Sequence, residues 1–219
     1  MLIVTLLARG CPIQAIVVAF MIDERTVRAW HEKAGKQGRA VQEKVVCNEK
    51  IALRQVQEDE IYVNIQGGKA WMATAMDVFS RLFLWGEVSQ NRDRGLIERL
   101  NHMVRKACTQ GQRAILFAVD GFAAYPKAIL KAFSDKVYSG QPGRPPLVPW
   151  SDIHIAQVVK KRCGKKLKDV SRRVFHGTLS RVDDLIALSQ TSYGLINTAY
   201  IERLNATFRA RMPCLLYTS

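Results

Sequence analysis

AILFAVDG, residues 114–121, is the stretch that decides the architecture. Six apolar residues in a row, with no alternation, mark a strand buried on both faces, as strands of parallel sheets are. The run ends on Asp120, and the carboxyl end of such a strand is where open α/β sheets place ligands. Gly121 follows at once and permits close backbone approach.

Upstream, EDEIYVNI (58–65) alternates and reads as a second strand. Asp59 shares parity with Ile61, Val63 and Ile65, so it is expected on the core side; Glu58 and Glu60 are expected to point the other way. A bare carboxylate costs several kcal/mol to bury, so Asp59 must be paired, protonated or bound to metal. A turn at GGK (67–69) and two further strands, AWMATAMDVF (70–79) and LFLWGEV (82–88), complete a hairpin around Ser80 and Arg81. Asp77 belongs to that turn, where aspartate is favoured without catalysis.

Residues 91–110 predict an amphipathic helix with Leu96, Leu100, Met103 and Val104 on one face. After Asp120 come a helix at YPKAILKAF (125–133), a Pro/Gly-rich loop at 139–152 and a strand at IHIAQVVKKR (153–162). Helices are expected at about 178–190 and 195–211. The order predicts an α/β domain, a mixed sheet flanked by helices. Trp150, in the Pro-rich loop, fits either a stacking partner for an unpaired base or a hydrophobic anchor.

The last helix, NTAYIERLNATFRAR (197–211), carries Thr198, Glu202, Asn205 and Arg209 on one face and Tyr200, Leu204 and Phe208 on the other. Two strand aspartates, Asp59 and Asp120, followed by a late helical Glu202 suit a two-metal phosphoryl-transfer site. Mg²⁺ takes hard oxygen ligands but few carboxylates per ion, and paired ions stabilise both oxygens of an in-line displacement.

Among 219 residues, 33 Lys and Arg face 19 Asp and Glu, a net charge of +14. That surplus points to a polyanion, either nucleic acid or an anionic membrane surface. KKRCGKKLKDVSRR (160–173) concentrates eight basic side chains against one acid. It reads as a solvated edge hairpin or as a hold on DNA phosphates through Lys160, Lys161, Arg162, Lys165 and Lys166. The five cysteines are scattered and never in CxxC spacing, which excludes a zinc site and a disulfide framework and predicts a reducing cytoplasm. The four histidines form no ligand spacing. The apolar start is interrupted by Arg9, Pro12 and Gln14, so neither a signal peptide nor a membrane span is expected.

Residues 12–34 read as a helix-turn-helix. Pro12 opens the first helix, Asp23 caps the second, and Val27 and Trp30 are expected to face the first helix. Arg25, Arg28 and His31 fall on the outer side, where a recognition helix meets DNA. A plain helical hairpin is the alternative. Residues 35–50 read as a linker or a partly helical connector.

From about 50 to 211 the chain resembles the bacterial insertion-sequence transposases, whose catalytic domain has a ribonuclease H-like fold with an Asp-Asp-Glu metal site. The segments that carry the resemblance are DEIYV, MDVFSRLFLWGEV, VDGFAAYPKAI, QVVKKRCGKKLKDVSRRVFHG and, most specifically, NTAYIERLNATFRAR. An N-terminal helix-turn-helix is also usual in them. The resemblance implies a helix-turn-helix unit at 1–34, a linker at 35–50 and a catalytic domain at 51–213. Residues 214–219 are an atypical tail, expected from truncation. It implies Asp59, Asp120 and Glu202 as ligands of two Mg²⁺ or Mn²⁺ ions that serve strand cleavage and strand transfer. It further implies double-stranded DNA, both element ends and target, as partner, with Arg203 and Arg209 among the contacts. A homodimer or larger assembly in the bacterial cytoplasm, associated with the nucleoid, would follow. The rival expectation is a non-catalytic DNA-binding regulator or an inactive transposase remnant.

Overall fold

β1 (Gln55–Ile65) is the strand around which the domain is organised. In a computed structural model that describes residues 2–65, 68–109, 114–138, 140, 143–164, 166–189 and 194–211, it lies between two different partners. On one side β2 (Gly68–Asp77) runs antiparallel to it and β3 (Phe83–Ser89) antiparallel to β2. On the other, β4 (Ile115–Asp120) runs parallel, with Gln55 opposite Leu116 and Glu58 opposite Val119. A short ribbon of β5 (Ser134–Lys136) and β6 (Leu147–Pro149) stands apart. β7 (Ile153–Cys163) pairs parallel with β4, and β8 (Lys166–His176) closes the edge antiparallel to β7. The sheet is therefore six-stranded and mixed, in the order β3-β2-β1-β4-β7-β8.

β4 is central and buried from Ile115 to Val119, as its uninterrupted apolar run demands. Alternate residues feed two cores. Phe117 and Val119, with Ile153 and Ile155, face α4 (Arg94–Ala107) and α5 (Ala124–Ala132), which supply Leu96, Leu100, Val104, Tyr125 and Ile129. Leu116, Ala156 and Val158 face the other way, onto Val182, Leu185 and Ile186 of α6 (Leu179–Leu188). Ile61 and Val63 of β1 pack on that side too, against Phe208 of α7 (Ala199–Arg211). Helices thus cover both faces, as expected.

Several elements differ from the sequence reading. The helix expected over 91–110 starts only at Arg94, because Asp93 accepts from the Leu96 amide (2.8 Å) and caps it. Part of the expected loop at 139–152 forms the ribbon, with Ser134 opposite Pro149. Trp150 is its anchor: the ring meets Phe133 at 5.4 Å, the Arg105 guanidinium lies 4.0 Å over it, and Nε1 donates to Asp135 (2.6 Å). Gly67 of the expected GGK turn and the tail at 214–219 lie outside the described residues.

At the start, α1 (Leu2–Ala8) precedes the two expected helices, α2 (Ile13–Phe20) and α3 (Glu24–Gln42). Met21 turns the chain at φ +50°, and Asp23 caps α3 by accepting from the Arg25 amide. Ile16 and Val27 are buried. Trp30 does not join them; it is 41% exposed and lines a groove with Leu2, Ile3 and Val4 of α1. Of the two readings of residues 35–50, the helical connector is the one observed: α3 runs on to Gln42 and a π-helical turn continues to Asn48. Val46 and Cys47 enter the main core, and Gln42 Nε2 donates to the carbonyls of Phe83 (2.6 Å) and Leu84 (3.1 Å). Buried apolar side chains in a polar stretch explain why this docking overrides a linker. Among the described residues no helix is long and apolar enough to cross a membrane.

Candidate active site

The parallel pairing of β1 with β4 places Asp59 and Asp120 on neighbouring strands, one rung beyond the Glu58–Val119 pair. Both project to the α6/α7 side of the sheet, Asp59 with Ile61 and Asp120 with Leu116. A cleft of about 640 Å³ opens there, lined by Asp59, Asp120, Gly121, Lys160, Thr198 and Glu202. All three sequence-predicted acids therefore face one space.

Their fixings differ. Asp59 Oδ2 accepts from Asn205 Nδ2 at 3.0 Å. Asp120 Oδ1 accepts from the Phe122 amide at 2.8 Å, and Oδ2 from Arg92 Nη2 at 3.3 Å. Glu202 Oε1 accepts from Thr198 Oγ1 at 2.5 Å and from Lys160 Nζ. Burial raises the Asp59 carboxyl above the ordinary range; the Asn205 bond opposes this, and the charges of Asp120 and Glu202 add to it.

Glu60 joins the acids although it keeps the face its parity predicts. Its side chain is buried beside Tyr125 on the α4/α5 side, yet a carboxylate oxygen lies within 4.8 Å of ligand oxygens of Asp59 and Asp120. β4 ends at Asp120, so no strand separates Glu60 from them there. Arg92 binds Glu60 through Nε (3.1 Å) and Nη2 (3.3 Å) while also holding Asp120. Its guanidinium lies 4.4 Å from the Phe122 ring centroid and 5.3 Å from that of Trp71. Burial pushes the Glu60 carboxyl up, against the Arg92 bonds, and the Asp120 charge pushes it further.

Three carboxylates with ligand oxygens within 4.8 Å of one another form a group that could hold a metal ion. The donors are hard oxygens, which suits Mg²⁺ or Mn²⁺. Glu202 stands outside this closest group but across the same cleft. Among the described residues no histidine or cysteine joins the cluster. No protein-family model matches the chain, and no curated protein matches it.

The basic residues divide. Arg25, Arg28 and His31 are exposed on α3, with Arg28 paired to Glu24 at 2.6 Å. Lys161 and Lys166 are exposed on the β7/β8 hairpin, and Arg203 and Arg209 on α7. Lys160 is engaged with Glu202 inside the cleft. Lys165 lies outside the described residues, as does the side chain of Arg162. Two further cations of the basic run serve structure: Arg172 Nε donates to the Ile196 carbonyl (2.7 Å), and Arg173 donates twice to Gln157 Oε1 (3.0 and 2.8 Å).

Sequence reasoning passed over Glu60, Arg92, Thr74 and Gln57. A second acid beside the core-facing Asp59 was a usable signal for Glu60. Arg92 had none, because its role depends on where α4 begins.

Proposed function

We propose that this protein is a metal-dependent DNA transposase with a ribonuclease H-like catalytic domain. The observation that carries the reading is the convergence of Asp59, Asp120 and Glu202, from two parallel strands and a helix, on one cleft in a chain of net charge +14. The mixed sheet with helices on both faces supports it.

Asp59, Glu60, Asp120 and Glu202 would hold two Mg²⁺ or Mn²⁺ ions. Bound, such ions supply stabilisation of the attacking and leaving oxygens of a phosphodiester displacement. Asn205 and the Phe122 amide orient Asp59 and Asp120, leaving the other lone pairs to face the cleft. Arg92 offsets the mutual repulsion of Glu60 and Asp120. Lys160, beside Glu202, places a cation where a DNA phosphate would enter. Lys161 and Lys166 extend that surface along the hairpin, and α3 would read the element ends through Arg25, Arg28 and His31. Two ends must be joined in one event, so the working form would be a dimer or larger.

The direct test is strand cleavage of duplex carrying the ends of the encoding element. Cleavage should require Mg²⁺ or Mn²⁺ and vanish in Asp120→Asn, while DNA binding persists; equal cleavage in EDTA would sink the reading. A second reading, DNA binding without catalysis, is favoured by the internal ion pairs of Lys160 and Arg92 with acids of the cleft. DNA binding with no cleavage under any divalent cation would support it.

A further inference from the structure

α7 is fastened to β1 at two points by buried side-chain amides. Gln57 is fully buried, and its Oε1 accepts from the amides of Tyr200 and Ile201, both at 3.0 Å. Its Nε2 donates to the Asn197 carbonyl at 2.8 Å. Asn197 Oδ1 in turn accepts from the Ala199 amide at 3.1 Å, and the Glu202 amide donates to the Thr198 carbonyl at 3.1 Å. All four amides of the first turn, most of which a helix cannot satisfy internally, therefore have partners.

The second fastening is Asn205. Its Nδ2 donates to Asp59 Oδ2 at 3.0 Å, and its Oδ1 accepts from Thr74 Oγ1 at 2.8 Å. A carboxylate only accepts, so the amide group can face Asp59 one way, and the Thr74 hydroxyl then completes it.

The two fastenings match in spacing. Gln57 and Asp59 stand on one face of β1, about 6.8 Å apart at the strand's rise. Ile201 and Asn205 stand one turn apart on α7, about 6 Å along its axis. Phe208, further along, meets Ile61 and Val63, further along β1 in the same direction. Glu202 lies between the two fastenings. A slip of α7 by a residue would break both and rotate Glu202 by about 100°, out of the cleft.

We propose that Gln57 and Asn205 are positioning residues that fix the register of α7 on β1 and so set Glu202 opposite Asp59 and Asp120. The metal arm of the test rests on the transposase reading; the exchange arm does not. Amide exchange of the wild-type protein, resolved by residue with NMR, should show Tyr200 and Ile201 protected, although first-turn amides ordinarily exchange fast. Exchange at the solvated rate would overturn the proposal outright.

Gln57→Met removes donor and acceptor at similar volume. It should expose both amides and raise the Mg²⁺ concentration for half-maximal cleavage by about 10-fold, the low end of the effect of losing a group bonded directly to a metal ligand, because Gln57 acts on Glu202 through the helix; DNA affinity should be unchanged. Exposed amides with an unchanged Mg²⁺ requirement would overturn the positioning role. Should Gln57→Met not fold, Gln57→Leu, which also lacks donor and acceptor, should expose both amides; protection retained there would count against it. A wild-type protein with protected amides and no cleavage would refute the transposase reading and leave the clamp standing.

Discussion

Glu58 stabilises this fold only while it is neutral, so Glu58→Gln should make the protein more stable at physiological pH. The side chain is fully buried on the α4/α5 side of β1, and Asn101 Nδ2 donates to its Oε2 at 3.0 Å. Burial pushes its carboxyl from an ordinary 4.5 up to about 8; the Asn101 bond opposes this and the Glu60 charge adds to it. The folded state therefore holds a proton that the unfolded chain releases. For a group raised in this way, the stabilisation is complete below about pH 4.5 and is lost as pH rises toward about 8. At about 1.4 kcal/mol per pH unit, the loss by pH 7 is about 3 kcal/mol. Glutamine matches the neutral carboxyl in shape and does not ionise when unfolded. Urea unfolding in EDTA, at half-unit steps from pH 4.5 to 8, should show Glu58→Gln ahead of wild type by about 3 kcal/mol at pH 7. The gap should shrink to almost nothing at the acid end. A gap independent of pH, or a less stable glutamine variant at pH 7, would mean that Glu58 is ionised in the fold.

Other positions test separate parts of the structure. Gly177 sits at φ +92°, and a Cβ there would meet His154 Nδ1 at 2.1 Å. Gly177→Ala should cost more than about 1 kcal/mol, and His154→Ala in the same chain should recover part of it, a coupling that a double-mutant cycle measures. On the proposed DNA-binding reading, alanine at Lys161 and Lys166 should weaken binding to every DNA and lower the slope of log affinity against log salt by about 0.9 for each phosphate left without its lysine. Alanine at Arg25 and Arg28 should instead narrow the gap between element-end and random duplex, because arginine reads guanine through two hydrogen bonds. If the lysine variant alone loses discrimination, α3 is not the reader.

The central sheet was legible because its signals are local. An unbroken apolar run at 114–119, too short for a helix and closed by Asp120 and Gly121, reads as a strand buried on both faces, and the alternation at 58–65 told which side of β1 Asp59 would take. The docking of residues 35–48 was not legible, since Val46 and Cys47 are two apolar residues in a polar stretch. Their value depends on a cavity that β3 and α4 create at a distance. The same limit applies to Trp150, whose partners Phe133, Arg105 and Asp135 come from separate segments.

Parity gives Glu60 its face, beside Tyr125, but not all of its neighbours. A side chain is screened from the opposite face only while a neighbouring strand separates the two. β1 runs to Ile65, but its parallel partner ends at Asp120, level with Asp59. Glu60 lies just past that end, so its carboxylate can join Asp59 and Asp120 although its backbone parity is that of Glu58. Glu58 itself stands one residue before Asp59, beside Val119, and stays walled in with Asn101. Two glutamates with the same parity, both buried, thus keep different company: one is held neutral beside Asn101, the other lies at the acidic cluster and is held by Arg92. The length of β4, set by where AILFAVD gives way to Gly121, decides between them.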